Sequence, residues 1–472
     1  MKSLKYLMIG VLALSVGTPA AAQEESPAEA VKAILKSNAP DAEKQIKAIY
    51  KKNKKDPEAI VAIGRVYYEE KDTANAHYYA DLAAKMNYGP AYMLLGDILA
   101  LGEDGGGAAK MYDQAIYFDP KNPDAYYKYA AVYRKVSPEG AAAKLEELRV
   151  QRPDLPVDAL KGRILYLANE FDGAIAAFQK ADRKSMEERD LRSFAMAYYL
   201  TGQHQPSLEI AEFALQKSPR DAGFNRLAFF CSTDLKQFDK ALDYADRLFN
   251  KSDSAKFTYF DYSYHGNALN GAKRHDEAIA AYKKALEQEF DSSDKRAGVI
   301  KQLADAYKGI DDYANAVTYY DQFLKEVSHA TLSDYADLGR LYVQYANTLE
   351  GDGKMDKLQK ADQIYADLAV KNEDAKEYSI FWRARVNSMM DPEFTEGKAL
   401  PFYEELFNAI DAKAEKDKAD VARYKESGNY LMAYYLKIKD DVAKSLELAQ
   451  KVIVVDPENE TAKQIIENFT KQ

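Results

Sequence analysis

A small residue followed by apolar or aromatic residues four and seven places later returns twelve times along this chain of 472 residues. The series is Ala42-Ile46-Ile49, Ala76-Ala80-Ala83, Ala108-Tyr112-Ala115, Ala141-Leu145-Leu148, Ala174-Phe178-Ala181, Ser207-Ala211-Ala214, Ala241-Ala245-Leu248, Ala278-Tyr282-Ala285 and Ala316-Tyr320-Phe323. Looser copies follow at Ala361-Tyr365-Leu368, Ala399-Tyr403-Leu406 and Ser445-Ala449-Val452. Successive first members lie 34, 32, 33, 33, 33 and 34 residues apart, then 37, 38, 45, 38 and 46. A unit of that size cannot bury its apolar stripe alone, so the chain must stack unit on unit.

The spacing i, i+4, i+7 is one face of a helix. About twelve residues upstream lies a second such face. It reads Ile60-Ile63-Gly64-Tyr67, Tyr92-Leu95-Gly96-Leu99 and Tyr126-Tyr129-Ala130-Tyr133, and later Tyr262-His265-Gly266-Leu269, Ile300-Leu303-Ala304-Tyr307 and Tyr335-Leu338-Gly339-Tyr342. Each unit therefore holds two amphipathic helices, with Gly or Ala letting them approach closely. Pro57, Pro120, Pro153, Pro219 and Pro457 punctuate the turns between units, because proline opens a helix but breaks a continuing one.

Tyr92, Leu95-Gly96, Ala108, Tyr112, Ala115 and Pro120 follow the pattern of the tetratricopeptide repeat family nearly throughout, and the chain resembles that family over about residues 27–472. The likeness is strong up to about Ala285 and weak around 345–440. There Arg383 stands where Leu is expected, and Gly351-Asp352-Gly353 marks an insertion. The resemblance implies an all-α, tetratricopeptide-like α-solenoid, a right-handed superhelix of antiparallel helix pairs. The expected organisation is a leader at 1–22, N-terminal helices at 23–56 and a regular array at 57–330. Divergent repeats with insertions follow at 331–457, then a capping helix at 458–472.

The leader is read from Lys2 and Lys5, an apolar run Tyr6–Gly17 and the small residues Ala20-Ala21-Ala22. That run is too short to span a bilayer, and the pattern is a cleavable export signal. It predicts a mature chain beginning at Gln23, exported to the periplasm or envelope of a Gram-negative bacterium.

Several chemistries are disfavoured. The net charge of −10 gives no general attraction for nucleic acid. Cys231, the single cysteine, allows neither an internal disulfide nor a Cys-rich zinc site. Gly102-Glu103-Asp104-Gly105-Gly106-Gly107 lacks the Lys and Ser or Thr of a phosphate loop and reads as a flexible turn. The acids of Gly351–Asp356 lack the calcium-loop alternation and read as a loop insertion. His265 and His275 have no further ligands nearby in sequence, so no metal pair is expected. No enzymatic activity, cofactor or metal is expected.

The resemblance implies that first helices line the concave surface, at one, five and eight places after their opening bulky residue. Those positions hold seven Arg and three Lys against two Asp. The candidate partner-binding residues are Arg65, Tyr68, Tyr127, Arg134, Arg163, Tyr166, Arg192, Tyr199, Arg226 and Phe230. The last six come from three successive units and are expected to lie together. Arginine forks hold carboxylates in two bonds, and tyrosine supplies rigid contact area. The expectation is a scaffold that holds a protein or peptide partner with acidic groups. The competing expectation for the arginines is pairing with Asp and Glu of neighbouring helices. The alternative function is a carbohydrate-binding or nutrient-uptake component of the outer membrane, since aromatic faces also stack on glycans.

Overall fold

The computed structural model describes residues 26–470, so the expected leader at 1–22 lies outside them. Among the described residues there is no strand, and the chain falls into two compact units divided between Gln203 and His204. Unit 1 holds α1 (Pro27–Ser37), α2 (Ala42–Lys52), α3 (Pro57–Glu69), α4 (Thr73–Ala84), α5 (Gly89–Leu101), α6 (Gly105–Phe118), α7 (Pro123–Tyr133), α8 (Pro138–Gln151), α9 (Val157–Leu167), α10 (Phe171–Phe178) and α11 (Glu188–Leu200). Unit 2 begins with α12 (His204–Lys217), α13 (Ala222–Asp234), α14 (Phe238–Asp246), α15 (Tyr259–Gly271), α16 (His275–Leu286), α17 (Ser293–Gly309) and α18 (Tyr313–Glu326). It continues with α19 (Leu332–Asn347), α20 (Gly351–Lys371), α21 (Lys376–Met390), α22 (Leu400–Asp411), α23 (Lys418–Lys437), α24 (Val442–Val455) and α25 (Glu460–Thr470). From α1 to α24, odd-numbered helices are the first of their pairs and even-numbered ones the second, and α25 follows the last pair. Within each unit, neighbouring helices pack in chain order.

The repeated small residue is the hinge of this packing. Ala76, Ala108, Ala141, Ala174, Ser207, Ala241, Ala278, Ala316, Ala361, Ala399 and Ser445 are all 0% exposed. The first-helix glycine has a steric purpose. A Cβ on Gly96 would meet the Tyr112 ring at 2.4 Å, and one on Gly266 would meet the Tyr282 ring at 2.4 Å. Each ring thus occupies the space that a side chain at the glycine would need.

Proline opens α3, α7 and α8, with Asp56, Asn122 and Ser137 as the caps that accept backbone N–H groups. The turn from first to second helix repeats one geometry. Lys71, Glu103, Asn169, Lys236, Lys273 and Asp311 adopt left-handed backbone, as does Gly202. The next residue's N–H then reaches back to a carbonyl five residues earlier, as in Asp72 to Tyr67, Glu170 to Leu165 and Arg274 to Leu269. That bond closes a Schellman turn and reverses the chain in very few residues.

Two expectations differ from what is found. The glycine run at 102–107 is not a free turn throughout: Asp104 caps a helix by accepting from the Gly107 N–H at 2.8 Å, and α6 begins at Gly105. The insertion at Gly351 is not a loop either. It opens α20, a helix of 21 residues, so the added length extends the second helix. Arg383, at a position expected to be Leu, forks onto Asp362 at 2.9 and 3.0 Å and lies 4.3 Å from the Phe402 ring.

Candidate functional site

The first-helix positions divide into two sets. Val61, Met93, Asp97 and Ala159, which hold the one-place or five-place positions of their helices, are buried. Asp97 explains what such burial needs: its carboxylate accepts from Tyr112 Oη at 2.9 Å and from Lys128 Nζ, one first helix later, at 2.5 Å.

In unit 1, Arg65 is exposed on α3 and has no ion-pair partner among the described residues, and Tyr68 is half-buried one turn on. Tyr127 of α7 is half-buried. Burial raises its pKa, and nearby Arg163 opposes the rise. Arg134 caps the C-terminal end of α7 and donates to the Ala131 carbonyl, while its Nε is buried without a hydrogen-bond partner among the described residues. Arg163 of α9 stands 3.1 Å from the buried carboxylate of Asp190 at the start of α11. Tyr166 packs at 5.9 Å from Phe171. Arg192 pairs with Glu188 on its own helix at 3.0 Å, and Tyr199 is half-buried.

In unit 2, Arg226 of α13 forks onto Asp261 of α15 at 2.5 and 3.3 Å and donates to the Lys256 carbonyl at 2.7 Å. Asp261 is 1% exposed. Phe230 stacks on Tyr264 at 4.1 Å, and Tyr264 lies 6.5 Å from Phe260, which is 43% exposed. Farther on, Lys301 of α17 meets Asp334 of α19 at 2.5 Å, and Arg385 of α21 forks onto Glu426 of α23 at 2.7 and 2.5 Å.

One arrangement recurs within these pairs. Asp190, Asp261 and Asp334 each occupy the third position of a first helix, and each faces a cation from the preceding first helix. Asp261 and Asp334 also accept the backbone N–H of Thr258 and Thr331, at 2.9 and 2.8 Å. One carboxylate caps its own helix and pins the previous unit. These acids were missed as site residues. Their signal was present as Thr258-x-x-Asp261 and Thr331-x-x-Asp334, a capping box written with Asp.

Asp334 sets a pH dependence. Burial alone would raise the pKa of Asp334, but hydrogen bonds from Lys301 and Thr331 outweigh it and leave it lowered. Asp391 behaves alike: against burial, N–H groups of Lys398, Gly397 and Glu396 and the Thr395 hydroxyl hold its carboxyl low. A folded pKa below the unfolded value contributes stability above about pH 4, and the contribution is lost as pH falls through the folded value. Asp391→Asn is therefore expected to cost roughly 1–3 kcal/mol near neutrality, with the deficit shrinking below about pH 4. Urea unfolding at both pH values checks this; a deficit independent of pH refutes it.

Among the described residues, no three His, Cys, Asp or Glu side chains are grouped to hold a metal ion. Cys231 is buried in α13, and burial pushes its thiol up to about 12. No described helix is long and apolar enough to cross a membrane.

No family model matches the chain, and no curated protein does. Solved structures with some likeness include the C-terminal part of a tetratricopeptide repeat-containing protein from Cytophaga hutchinsonii, at 20% identity and TM-score 0.47, covering 58% of this chain and 99% of that one. A tetratricopeptide repeat protein from Parabacteroides merdae matches at 17% and 0.34, covering 53% and 98%. The type IV pilus biogenesis factor PilW matches at 15% and 0.34, covering 41% and 93%. Likeness at this level adds nothing to what the helices themselves show.

Proposed function

We infer that this tetratricopeptide-like α-solenoid is a non-enzymatic scaffold that holds a partner protein segment on its first-helix faces. The supporting observation is rigidity at repeated positions. Arg226 is fixed by three contacts, and Phe230, Tyr264 and Phe260 form an aromatic row whose end is open to solvent. Groups already held in place lose little freedom when a partner docks, and aromatic rings give much contact for that small loss.

The pairing changes the chemistry expected of the partner. Arg163 and Arg226 are already faced by carboxylates, so the count of arginines no longer argues for an acidic segment. Nη1 of Arg226 has no partner among the described residues and suits a carbonyl oxygen. The segment we propose carries apolar side chains and exposed backbone acceptors. Export to the bacterial periplasm or envelope belongs to the same proposal and rests on Lys2, Lys5, the apolar run and Ala20-Ala21-Ala22.

Affinity capture from envelope extract tests this. The wild-type chain is expected to retain a specific protein, and joint Phe230→Ala and Phe260→Ala substitution to weaken retention about tenfold or more. Equal retention by the variant refutes the first-helix face as the binding surface.

A further inference from the structure

The first departure from the strict period is the step from Ala241 to Ala278, 37 residues where the preceding steps are 32 to 34. The added residues build a cavity. α14 runs into a π-helical turn at Arg247–Lys251, and irregular backbone follows to Thr258. This stretch supplies Phe249 and Phe257, and both rings converge on α15. Phe249 stacks on Tyr262 at 5.4 Å and lies 5.2 Å from His265, and Phe257 is 6.2 Å from Tyr262. The cavity they line is flanked by α14 and α16 and has a volume of about 610 Å³. That size and aromatic lining belong to small-molecule sites.

Its polar groups are unequal. Asp246 is engaged by Asn250 and Lys251, and Arg274 forks onto Glu277 at 2.7 and 2.6 Å. Tyr262, His265 and Lys284 also line the cavity, and their side chains have no hydrogen bond or ion pair among the described residues. Burial, first, and the nearby Arg274 keep the imidazole below its ordinary pKa. The one uncompensated charge on the lining is therefore that of Lys284.

We propose that this cavity binds a small aromatic carboxylate, its ring packed on Phe249 and Phe257 and its carboxylate paired with Lys284. Tyr262 and His265 complete the hydrogen bonding. The site lies between α14 and α16 against Tyr262 and His265 of α15, and it uses none of the residues of the first-helix face proposed above.

Phenylbutyrate and its neutral amide, titrated calorimetrically into the full chain, test the assignment. The acid is expected to bind about fivefold more tightly than the amide. Lys284→Gln is expected to remove that difference and leave amide binding as it was. Ala280→Trp, at an exposed lining position, is expected to abolish binding of both with no change in Tm. The proposal is overturned if neither probe binds the wild type, if acid and amide bind it equally, or if Ala280→Trp binds both unchanged.

Discussion

Tyr282→Ala is expected to destabilise unit 2 by about 3–5 kcal/mol. The ring is 1% exposed and fills the space against Gly266, where no Cβ could fit. Its hydroxyl donates to Asn267 Oδ1 at 2.8 Å. Truncation empties a ring-sized volume between α15 and α16 and orphans the Asn267 carbonyl. Tyr282→Phe keeps the volume and loses only the hydrogen bond, so it should cost about 1 kcal/mol. The gap between the two variants separates packing from polarity. Chemical unfolding measures both, and a Tyr282→Ala variant within about 1 kcal/mol of wild type would show that the ring-on-glycine contact is not what joins the pair.

The second large effect is at Asp261. Removing it strips a buried carboxylate from Arg226 and from the Thr258 N–H together. Breaking a fully buried pair costs about 3–5 kcal/mol, and because the Arg226 side chain is 30% exposed, water returns part of that. Asp261→Ala should therefore cost about 2–3 kcal/mol. In the double variant with Arg226→Met the two losses should not add, giving a coupling above about 1 kcal/mol. Arg192 and Glu188 are the internal control. Their side chains are 42% and 50% exposed on one helix, so that pair should contribute only about 0.3–0.5 kcal/mol. Additive losses at Arg226 and Asp261 would refute the pin between units.

Much of the architecture was legible because it is written in side-chain volume. A run of Ala and Ser at one position, each with apolar or aromatic residues four and seven places on, admits few packings, and those small residues are buried from Ala76 onward. Ala42, in the first pair, is only half-buried. The turns were harder to read. Lys71, Glu103 and Lys236 occupy left-handed backbone that usually signals itself with glycine, as it does at Gly202. The π-helical turn after Asp246 left no mark beyond a lengthened step.

The arginines at the first-helix positions were legible in the sequence, and their pairing was not. The first-helix arginines could be counted along the chain. The carboxylates that face them come from the first turn of the next first helix, 27 residues on for Arg163 and 35 for Arg226. A tally along one face cannot register them, since their partnership depends on how two units dock. Tyr127 and Phe230 were easier, because a large ring at a half-buried helix position has few places to go.

Site-specific photo-crosslinking in the producing cell tests the scaffold account most directly. A benzophenone side chain would replace Tyr68, Tyr127, Tyr166 or Phe260 on first helices, and Tyr117 or Val150 on second helices. Tyr117 and Val150 are well exposed, so access to them is not limiting. The account predicts that one partner protein is captured from the first-helix positions and not from the second-helix ones. Capture from Tyr117 and Val150 alone, or from none of the six, would contradict it.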